Sequence, residues 1–209
     1  MKPGNFNPSK ALFLDRDGTI IEQFPSTANP DPEKHAYITE LNQVELIEGA
    51  ADALAEARKL GYKTIIITNQ SAIARGWLTE EKFLEINEHM YRLLKEANPG
   101  AIIDDMFYCP YYKDGTVKKY AIDSPLRKPG TGMIQEAEKK HNIDTGNSFM
   151  TGDSYTDVKC GLNAGTKTIL VLTGYGKTAY KKCLDEKLKI DFIADNLLEA
   201  VKHLEKNDV

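Results

Sequence analysis

Two aspartates separated by one residue follow a short apolar run near the start of the chain. The run Ala11 to Leu14 is typical of a buried strand, and Asp15 and Asp17 come directly after it, followed by Gly18, which allows a sharp turn. Two carboxylates this close repel each other unless a cation lies between them, and hard divalent cations such as Mg2+ prefer carboxylate oxygens. The alternative is a strand that ends in an ordinary Asp-Gly turn. The pair therefore indicates either a turn or a metal-dependent reaction centre.

Three further groups of polar residues follow later apolar runs. They are Thr-Asn-Gln-Ser at 68–71, Arg-Lys-Pro at 127–129 and Gly-Asp-Ser-Tyr-Thr-Asp at 152–157. The carboxyl ends of parallel strands meet at one edge of a sheet, so we expect these groups to lie beside Asp15 and Asp17. Acids, a hydroxyl group and a lysine suit phosphoryl transfer through a covalent aspartyl phosphate, in which the phosphoryl charge must be balanced at close range.

The position of each carboxylate suggests its role in such a reaction. Asp15 is the expected nucleophile because it is the first acid after the strand. Asp17 projects to the same side if the chain stays extended, so it can protonate the leaving alkoxide and later activate water. Asp153 follows an apolar run and is expected to complete a metal site. Asp157, one helical turn later, either supports the metal, orients Lys128, or is an acid favoured at the start of a helix.

Strand-like and helical patterns alternate along the chain, which predicts an α/β protein with a doubly wound parallel sheet. Strands are predicted at 11–14, 62–68, 102–108, 148–151, 167–172 and 191–194. Helices are predicted at 50–60, from Thr79 to Ala97, and at 133–141, 155–164 and 197–204. Two stretches without a regular period, about 22–42 and 109–129, are predicted to be loop insertions close to the site.

The bulk composition limits the class of protein. A chain of 209 residues suits one domain spanning 1–209. A net charge of −4 argues against a nucleic-acid or membrane-surface partner, and no apolar run is long enough for a membrane span or a signal sequence. Three scattered cysteines indicate a reducing compartment rather than a disulfide framework. We therefore expect a cytoplasmic monomer.

Taken together, the four polar blocks resemble the four motifs of the haloacid dehalogenase superfamily of Mg2+-dependent phosphatases. The runs at 15–21, 68–76 and 127–130 resemble its D-glycero-D-manno-heptose 1,7-bisphosphate phosphatase and histidinol-phosphatase branch. The resemblance covers about residues 11–173 and implies a Rossmann-like haloacid dehalogenase fold. The segments between the motifs leave no room for a separate cap domain, so the resemblance implies an open site whose specificity rests on its loops.

The resemblance implies a role for each carboxylate of the expected metal site. It makes Asp15 the nucleophile and Asp17 the general acid and base. Mg2+ would be held by the carboxylate of Asp15, the backbone carbonyl of Asp17 and Asp153.

The resemblance also implies which residues contact the substrate. Thr68 and Asn69 would bind the transferring phosphoryl group, and Lys128 would neutralise its charge. Arg127 would contact the substrate, consistent with the affinity of a guanidinium fork for phosphate or sugar oxygens. Arg75 either binds the substrate or shapes a loop.

The run Gln-Ser-Ala-Ile-Ala-Arg-Gly at 70–76 favours a heptose bisphosphate, attacked at its C7 phosphate, as the substrate. Histidinol phosphate is the alternative substrate. A receiver-like signalling module would also use a phosphorylated aspartate, a hydroxyl group and a lysine on a doubly wound sheet. Asp17 argues against that alternative, because a lasting signal gains nothing from a neighbouring acid that hastens hydrolysis.

One departure from the family pattern concerns zinc. The branch usually binds zinc through Cys-x-His before the third motif and Cys-x-Cys adjoining Arg-Lys-Pro, whereas this chain has Cys109-Pro-Tyr111 and Ser124-Pro-Leu126. Only one of the four ligands is present, and closed zinc sites need four. We therefore predict that no Zn2+ is bound. We expect the packing of four tyrosines to hold the loop instead: Tyr108, Tyr111, Tyr112 and Tyr120.

Overall fold

The computed structural model describes residues 8–207, except positions 28 and 30. The strands of the described part are β1 (Ala11–Leu14), β2 (Lys63–Asn69), β3 (Asp105–Cys109), β4 (Phe149–Gly152), β5 (Lys167–Val171) and β6 (Phe192–Ala194). The helices are α1 (Ala50–Lys59), α2 (Ser71–Ala74), α3 (Glu80–Ala97), α4 (Gly132–His141), α5 (Tyr155–Ala164), α6 (Gly176–Asp185) and α7 (Leu197–Asn207). The strands form one parallel sheet in the order β3-β2-β1-β4-β5-β6, which confirms the predicted α/β class.

Strand β1 lies in the middle of the sheet because its residues are apolar on both faces. Leu12 and Leu14 pack into the core beneath α1, α3 and α7. Ala11 and Phe13 pack on the opposite face, against α4 and α5. All four side chains are fully buried. The strand is therefore rigidly held from both sides, and so is the point at which Asp15 leaves it.

The direction in which the sheet is built reverses next to β1. The chain runs from β1 outward through β2 to β3 and then crosses to β4 on the other side of β1. Ligands of doubly wound sheets bind at this kind of switch point, at the carboxyl ends of the strands. The backbone N–H of Asp15 donates to the carbonyl of Thr151 in β4 at 2.9 Å, which joins the two strands at that edge.

The main differences from the predicted elements concern short or weakly patterned segments. The strand expected at 102–108 begins only at Asp105, and the carboxylate of the preceding Asp104 accepts hydrogen bonds from the backbone N–H of Thr64 and from Arg58. Helix α6 was not predicted, since its buried residues are small and lie among lysines. Helix α2 was not predicted either, because four residues are too few to show a period.

The two predicted loops lack extended regular structure. Between β1 and α1 the described residues contain a 3-10 turn at Leu41–Gln43 and isolated bridges, and residues 110–131 contain neither helix nor strand. None of the described helices is both long enough and apolar enough to cross a membrane.

Candidate active site

A pocket of about 200 Å³ opens at the carboxyl edge of the sheet. Its lining includes most of the residues that the sequence singled out: Asp15, Asp17, Thr68, Asn69, Arg127, Lys128 and Asp153. The loop between β1 and α1 contributes Gln23 and Tyr37, and the segment after β5 contributes Tyr175. The predicted convergence of the four blocks at one sheet edge is therefore present in the structure.

Lys128 lies at the floor of this pocket and is almost completely buried, with 2% of its side chain exposed. Its Nζ atom lies 2.9 Å from Oδ1 of Asp15 and 2.6 Å from Oδ1 of Asp157, and it donates to the carbonyl of Ile67 at 2.8 Å. Burial lowers the pKa of Lys128, but the attraction of Asp15 and Asp157 outweighs this effect, and the pKa is raised. Lys128 is thus a fixed positive charge beside Asp15.

Two neighbouring side chains hold Lys128 in place. Asn69 accepts from the backbone N–H of Lys128 at 3.0 Å and donates to its carbonyl at 3.1 Å. Asp157 is fixed by a capping box at the start of α5, where its Oδ2 accepts from the backbone N–H and the hydroxyl of Ser154. Of the three possibilities for Asp157, this geometry favours orientation of Lys128. Asn69 was predicted to bind the phosphoryl group, and that contact stays a prediction.

Three carboxylates form a cluster that could hold a metal ion. Asp15, Asp153 and Asp157 offer oxygen atoms within 4.8 Å of one another. Asp153 packs closely against the backbone of Gly18 and Gly174. A Cβ atom added to Gly18 would lie 2.2 Å from Oδ2 of Asp153, and one added to Gly174 would lie 2.1 Å from it. Both glycines have positive φ angles, so side chains are disfavoured there for two reasons.

The charge and chemistry of this cluster fit a divalent cation. When all three carboxylates are ionised, Lys128 balances only one of their charges and leaves two uncompensated. Burial raises the pKa of Asp15 to about 7 and that of Asp153 to about 8, although attraction to Lys128 lowers both. A doubly charged ion that prefers hard oxygen ligands would match the charge and the donor set. Both oxygens of Asp157 are engaged, Oδ1 by Lys128 and Oδ2 by Ser154, whereas the described contacts of Asp15 involve Oδ1 and those of Asp153 involve Oδ2. Asp15 and Asp153 therefore each have an oxygen available to the ion.

A network of hydrogen bonds that includes Asp17 contains three residues to which no role was assigned from the sequence. Arg16, Gln70 and Asn87 are buried, and hydrogen bonds connect them to one another and to Asp17. Arg16 and Gln70 lie within the motifs at 15–21 and 68–76, so their proximity to the site could have been inferred from the sequence. Asn87 lies at helical spacing from the buried Phe83 and Met90 of α3, so periodicity places it on the buried face, but nothing in the sequence indicates that its partner is Arg16.

Two arginines contact the ring of Tyr112 near the pocket. The guanidinium carbons of Arg75 and Arg127 lie 4.5 Å and 5.1 Å from its centroid, and Arg75 also lies 5.0 Å from the ring of Trp77. Such contacts hold a guanidinium in place without neutralising its charge. Arg127 lines the pocket, whereas Arg75 is not among the lining residues, so a direct contact between Arg75 and the substrate stays a prediction.

Loop 110–131 is attached to α3 through a shared carboxylate. Glu80, at the first position of α3, accepts hydrogen bonds from the hydroxyls of Tyr108 and Tyr120, the first at 2.9 Å. The backbone N–H of Val117 donates to the carbonyl of Ala74 at 2.9 Å. Two of the four expected tyrosines therefore act by hydrogen bonding rather than by packing alone.

The other two tyrosines contribute ring contacts. Tyr111 lies 6.2 Å from the ring of Tyr120, and Tyr112 carries the two arginines described above. Cys109 is fully buried, with its Sγ atom 3.8 Å from the carbonyl oxygen of Tyr111. The absence of zinc stays a prediction, which metal analysis of protein purified without added zinc would measure.

The chain is similar to curated phosphatases along most of its length. A family model described as HAD-hydrolase-like matches residues 125–200. The D-glycero-beta-D-manno-heptose-1,7-bisphosphate 7-phosphatase of Pasteurella multocida is 37% identical over 92% of this chain and 95% of that protein. The enzyme of the same name from Escherichia coli is 39% identical over 78% of this chain and 80% of its own length.

Solved structures show the same similarity. The D,D-heptose 1,7-bisphosphate phosphatase of B. bronchiseptica, crystallised with magnesium and phosphate, has a TM-score of 0.77 and 25% identity, covering 95% of this chain and 99% of that chain. A putative HAD-like phosphatase from Mesorhizobium loti has a TM-score of 0.68 and 34% identity, covering 82% of this chain and 77% of that chain.

Proposed function

Because the chain belongs to the haloacid dehalogenase superfamily and, within it, to the family of heptose-1,7-bisphosphate phosphatases, we propose that it hydrolyses the C7 phosphate ester of D-glycero-D-manno-heptose 1,7-bisphosphate. The observation that carries this proposal is the buried group at the pocket floor, in which Lys128 lies between Asp15 and Asp157 while Asp153 lies beside them. A phosphoryl group bound there meets a nucleophile, a fixed cation and a metal site within one small pocket.

Mg2+ is the proposed cofactor, held by the carboxylates of Asp15 and Asp153 and the backbone carbonyl of Asp17. When bound, it supplies charge neutralisation and orientation for the phosphoryl oxygens. Lys128 adds a second positive charge beside Asp15, and Asn69 and Asp157 keep it there. Thr68, buried at the end of β2, is proposed to contact the transferring group.

The proposed reaction proceeds in two displacements. In the first, a carboxylate oxygen of Asp15 attacks phosphorus, the bond to the sugar oxygen breaks, and that oxygen takes a proton from Asp17. In the second, water attacks phosphorus and gives a proton to Asp17, and the bond to Asp15 breaks to release inorganic phosphate. Asp15 recovers its carboxylate, and Asp17 is again ready to donate a proton.

Recognition of the rest of the substrate is proposed to depend on the pocket mouth. Arg127 lines the pocket and is held by the ring of Tyr112 and by the carbonyl of Tyr111, which its Nη1 reaches at 3.3 Å. A guanidinium in this position suits a second phosphate group, as a bisphosphate would have. Gln23 and Tyr37 supply polar atoms that suit sugar hydroxyls.

A comparison of substrates with and without Mg2+ tests the proposal. We expect kcat/KM for the heptose bisphosphate to exceed that for histidinol phosphate by about 100-fold, because a site with groups placed for one substrate rejects an analogue that leaves them unpaired. Preference for histidinol phosphate would assign the chain to the other enzymatic function of its branch. A phosphorylated protein that survives for hours without turnover would instead indicate a signalling module.

We further propose that the protein acts as a cytoplasmic monomer on this small phosphorylated sugar. The three cysteines of the protein are free thiols buried in the fold, which suits a reducing compartment. Sedimentation at micromolar concentration would measure the oligomeric state.

The stabilising effect of Mg2+ should depend on pH. Burial raises the pKa of Asp15 to about 7 and that of Asp153 to about 8, so the metal-free folded chain retains protons that the unfolded chain has released. Stability without metal is therefore lost as the pH rises from about 4 through 8. Because Mg2+ binds the ionised carboxylates, it should raise the melting temperature more at pH 8 than at pH 5. Thermal unfolding at both pH values measures this, and equal shifts would contradict it.

A further inference from the structure

Arg16 lies between the two catalytic aspartates in the sequence but points into the protein. It is only 1% exposed and is among the largest fully buried side chains of the described residues. Its Nε atom donates to Oδ2 of Asp17 at 3.1 Å, and its Nη2 atom donates to Oδ1 of Asp17 at 2.8 Å. This two-point contact fixes both the position and the plane of the carboxylate.

Helix α3 holds Arg16 in that orientation. The Nη1 atom of Arg16 donates to Oδ1 of Asn87 at 3.1 Å, and Asn87 in turn donates to the carbonyl of Phe83. Asn87 is 1% exposed. The ring of Phe83 covers the guanidinium, with its centroid 5.1 Å from the Cζ atom. A residue 71 positions further along the chain thus determines where Arg16 points.

Gln70 completes the set of donors around Asp17. Its Nε2 atom donates to Oδ2 of Asp17 at 2.8 Å and to the hydroxyl of Thr68 at 3.0 Å, while its Oε1 atom accepts from Arg16 at 3.4 Å. A carboxylate offers about four acceptor positions, two on each oxygen. The two on Oδ2 are occupied by Arg16 and Gln70, and one of the two on Oδ1 is occupied by Arg16.

We propose that Arg16, fixed by Asn87, is a positioning residue that makes Oδ1 of Asp17 the atom that gives and takes the proton. This inference rests on the proposed function. Among the described contacts, Oδ1 keeps one acceptor position, and Asp17 lines the pocket with 16% of its side chain exposed. Arg16 does not itself transfer a proton, because a guanidinium remains charged throughout. It keeps Asp17 from rotating between the first displacement and the second.

Two substrates with different leaving groups test this role. The sugar oxygen needs a proton from Asp17 as it leaves, whereas the nitrophenolate of p-nitrophenyl phosphate leaves readily without one. For Arg16→Met, kcat on the heptose bisphosphate should fall about 100-fold, with KM changed less than about threefold. With p-nitrophenyl phosphate the variant should release a burst of about one nitrophenolate per site. The burst is expected because nitrophenolate leaves without a proton from Asp17, whereas hydrolysis of the aspartyl phosphate still needs Asp17 to activate water.

Four further variants complete the comparison. Asp17→Asn should show the same signature more strongly. Arg16→Lys should lie between wild type and Arg16→Met, because an ammonium keeps the charge but lacks the planar fork that fixes the plane of the carboxylate. Arg58→Met removes a different arginine–aspartate pair, with Asp104 at 2.6 Å, and should leave both activities unchanged. If Arg16→Met does not fold, Asn87→Ala replaces it, because this variant keeps the positive charge of Arg16 but removes the contact that fixes it. It should give a burst with p-nitrophenyl phosphate and a kcat on the sugar phosphate about tenfold below that of wild type.

The outcomes separate this inference from the function on which it rests. Wild-type protein that hydrolyses neither ester in the presence of Mg2+ would contradict the proposed function itself. Active wild type together with a variant that loses both activities equally and shows no burst would overturn only the role of Arg16. Unchanged kcat on the heptose bisphosphate would overturn it as well.

Discussion

Replacing Asp15 with asparagine is expected to lower kcat by at least about 10⁴-fold, because an amide cannot form the bond to phosphorus on which both displacements depend. The two side chains have nearly the same shape, and the oxygen that accepts the backbone N–H of Arg16 at 2.8 Å can be retained. The substitution does remove an ionisable group that lies next to Asp153 and Asp157. Phosphate release in the presence of Mg2+ measures the effect.

The same substitution should not destabilise the metal-free protein above neutral pH. Burial raises the pKa of Asp15 to about 7, which means that its ionised form is unfavourable in the fold, and asparagine removes that charge. Loss of activity with preserved unfolding stability would therefore separate a chemical role from a structural one. Asp195→Asn is a matched control, because Asp195 also follows a strand of the sheet but is exposed and does not line the pocket. Turnover within tenfold of wild type would rule out Asp15 as the nucleophile.

Replacing Lys128 with methionine is expected to affect both chemistry and folding. It should lower kcat by about 10²- to 10³-fold, because a fixed charge beside the transferring phosphoryl group is lost. It should also lower the free energy of unfolding at pH 7 without metal by about 3 kcal/mol, since Asp15 and Asp157 are left without their cation. Kinetics and urea unfolding measure the two effects separately.

The stability loss from this substitution should shrink as the pH falls. Lys128 lowers the pKa of Asp15, so removing it raises a pKa that burial has already raised to about 7. At pH 5 Asp15 then carries a proton in the fold, so one of the two unpaired charges disappears. Lys59→Met is the control, because the exposed pair of Lys59 with Glu56 should contribute no measurable stability. A loss at pH 5 as large as that at pH 7 would argue that packing of the lysine stem, rather than its charge, is responsible.

Much of the site could be predicted because its motifs are local. An unbroken apolar run such as 11–14 is typical of a strand in the middle of a parallel sheet. The residue that follows such a strand, here Asp15, lies at the carboxyl edge of the sheet. The same rule applies to Thr68 in β2 and to Asp153 after β4. The capping box of Ser154 and Asp157 is also a property of four consecutive residues. These signals were sufficient to predict the sheet and the meeting point of the four blocks.

The contacts that orient the side chains could not be predicted in this way. Asn87 fixes Arg16, and Glu80 attaches the loop that contains Tyr120, across separations of 71 and 40 residues. Periodicity indicates which face of α3 is buried, but not which partner the buried polar group on that face will meet. Helix α6 was not predicted for a related reason. Its buried face is made of small residues, so the difference in hydrophobicity between that face and the exposed one is too weak to show a helical period.

By itself, the sequence determined the fold class, the edge of the sheet at which the chemistry takes place and the residues gathered there, because strand burial and turn chemistry act over a few neighbouring residues. Only the tertiary structure decided what each of those residues faces. It pairs Asp157 with Lys128, places Asn69 in hydrogen-bond contact with the backbone of Lys128, and brings the guanidinium of Arg16 against the carboxylate of Asp17. Such pairings depend on how helices and loops distant in sequence pack against the sheet, and hydrogen bonds a few ångströms long form only after that packing is complete.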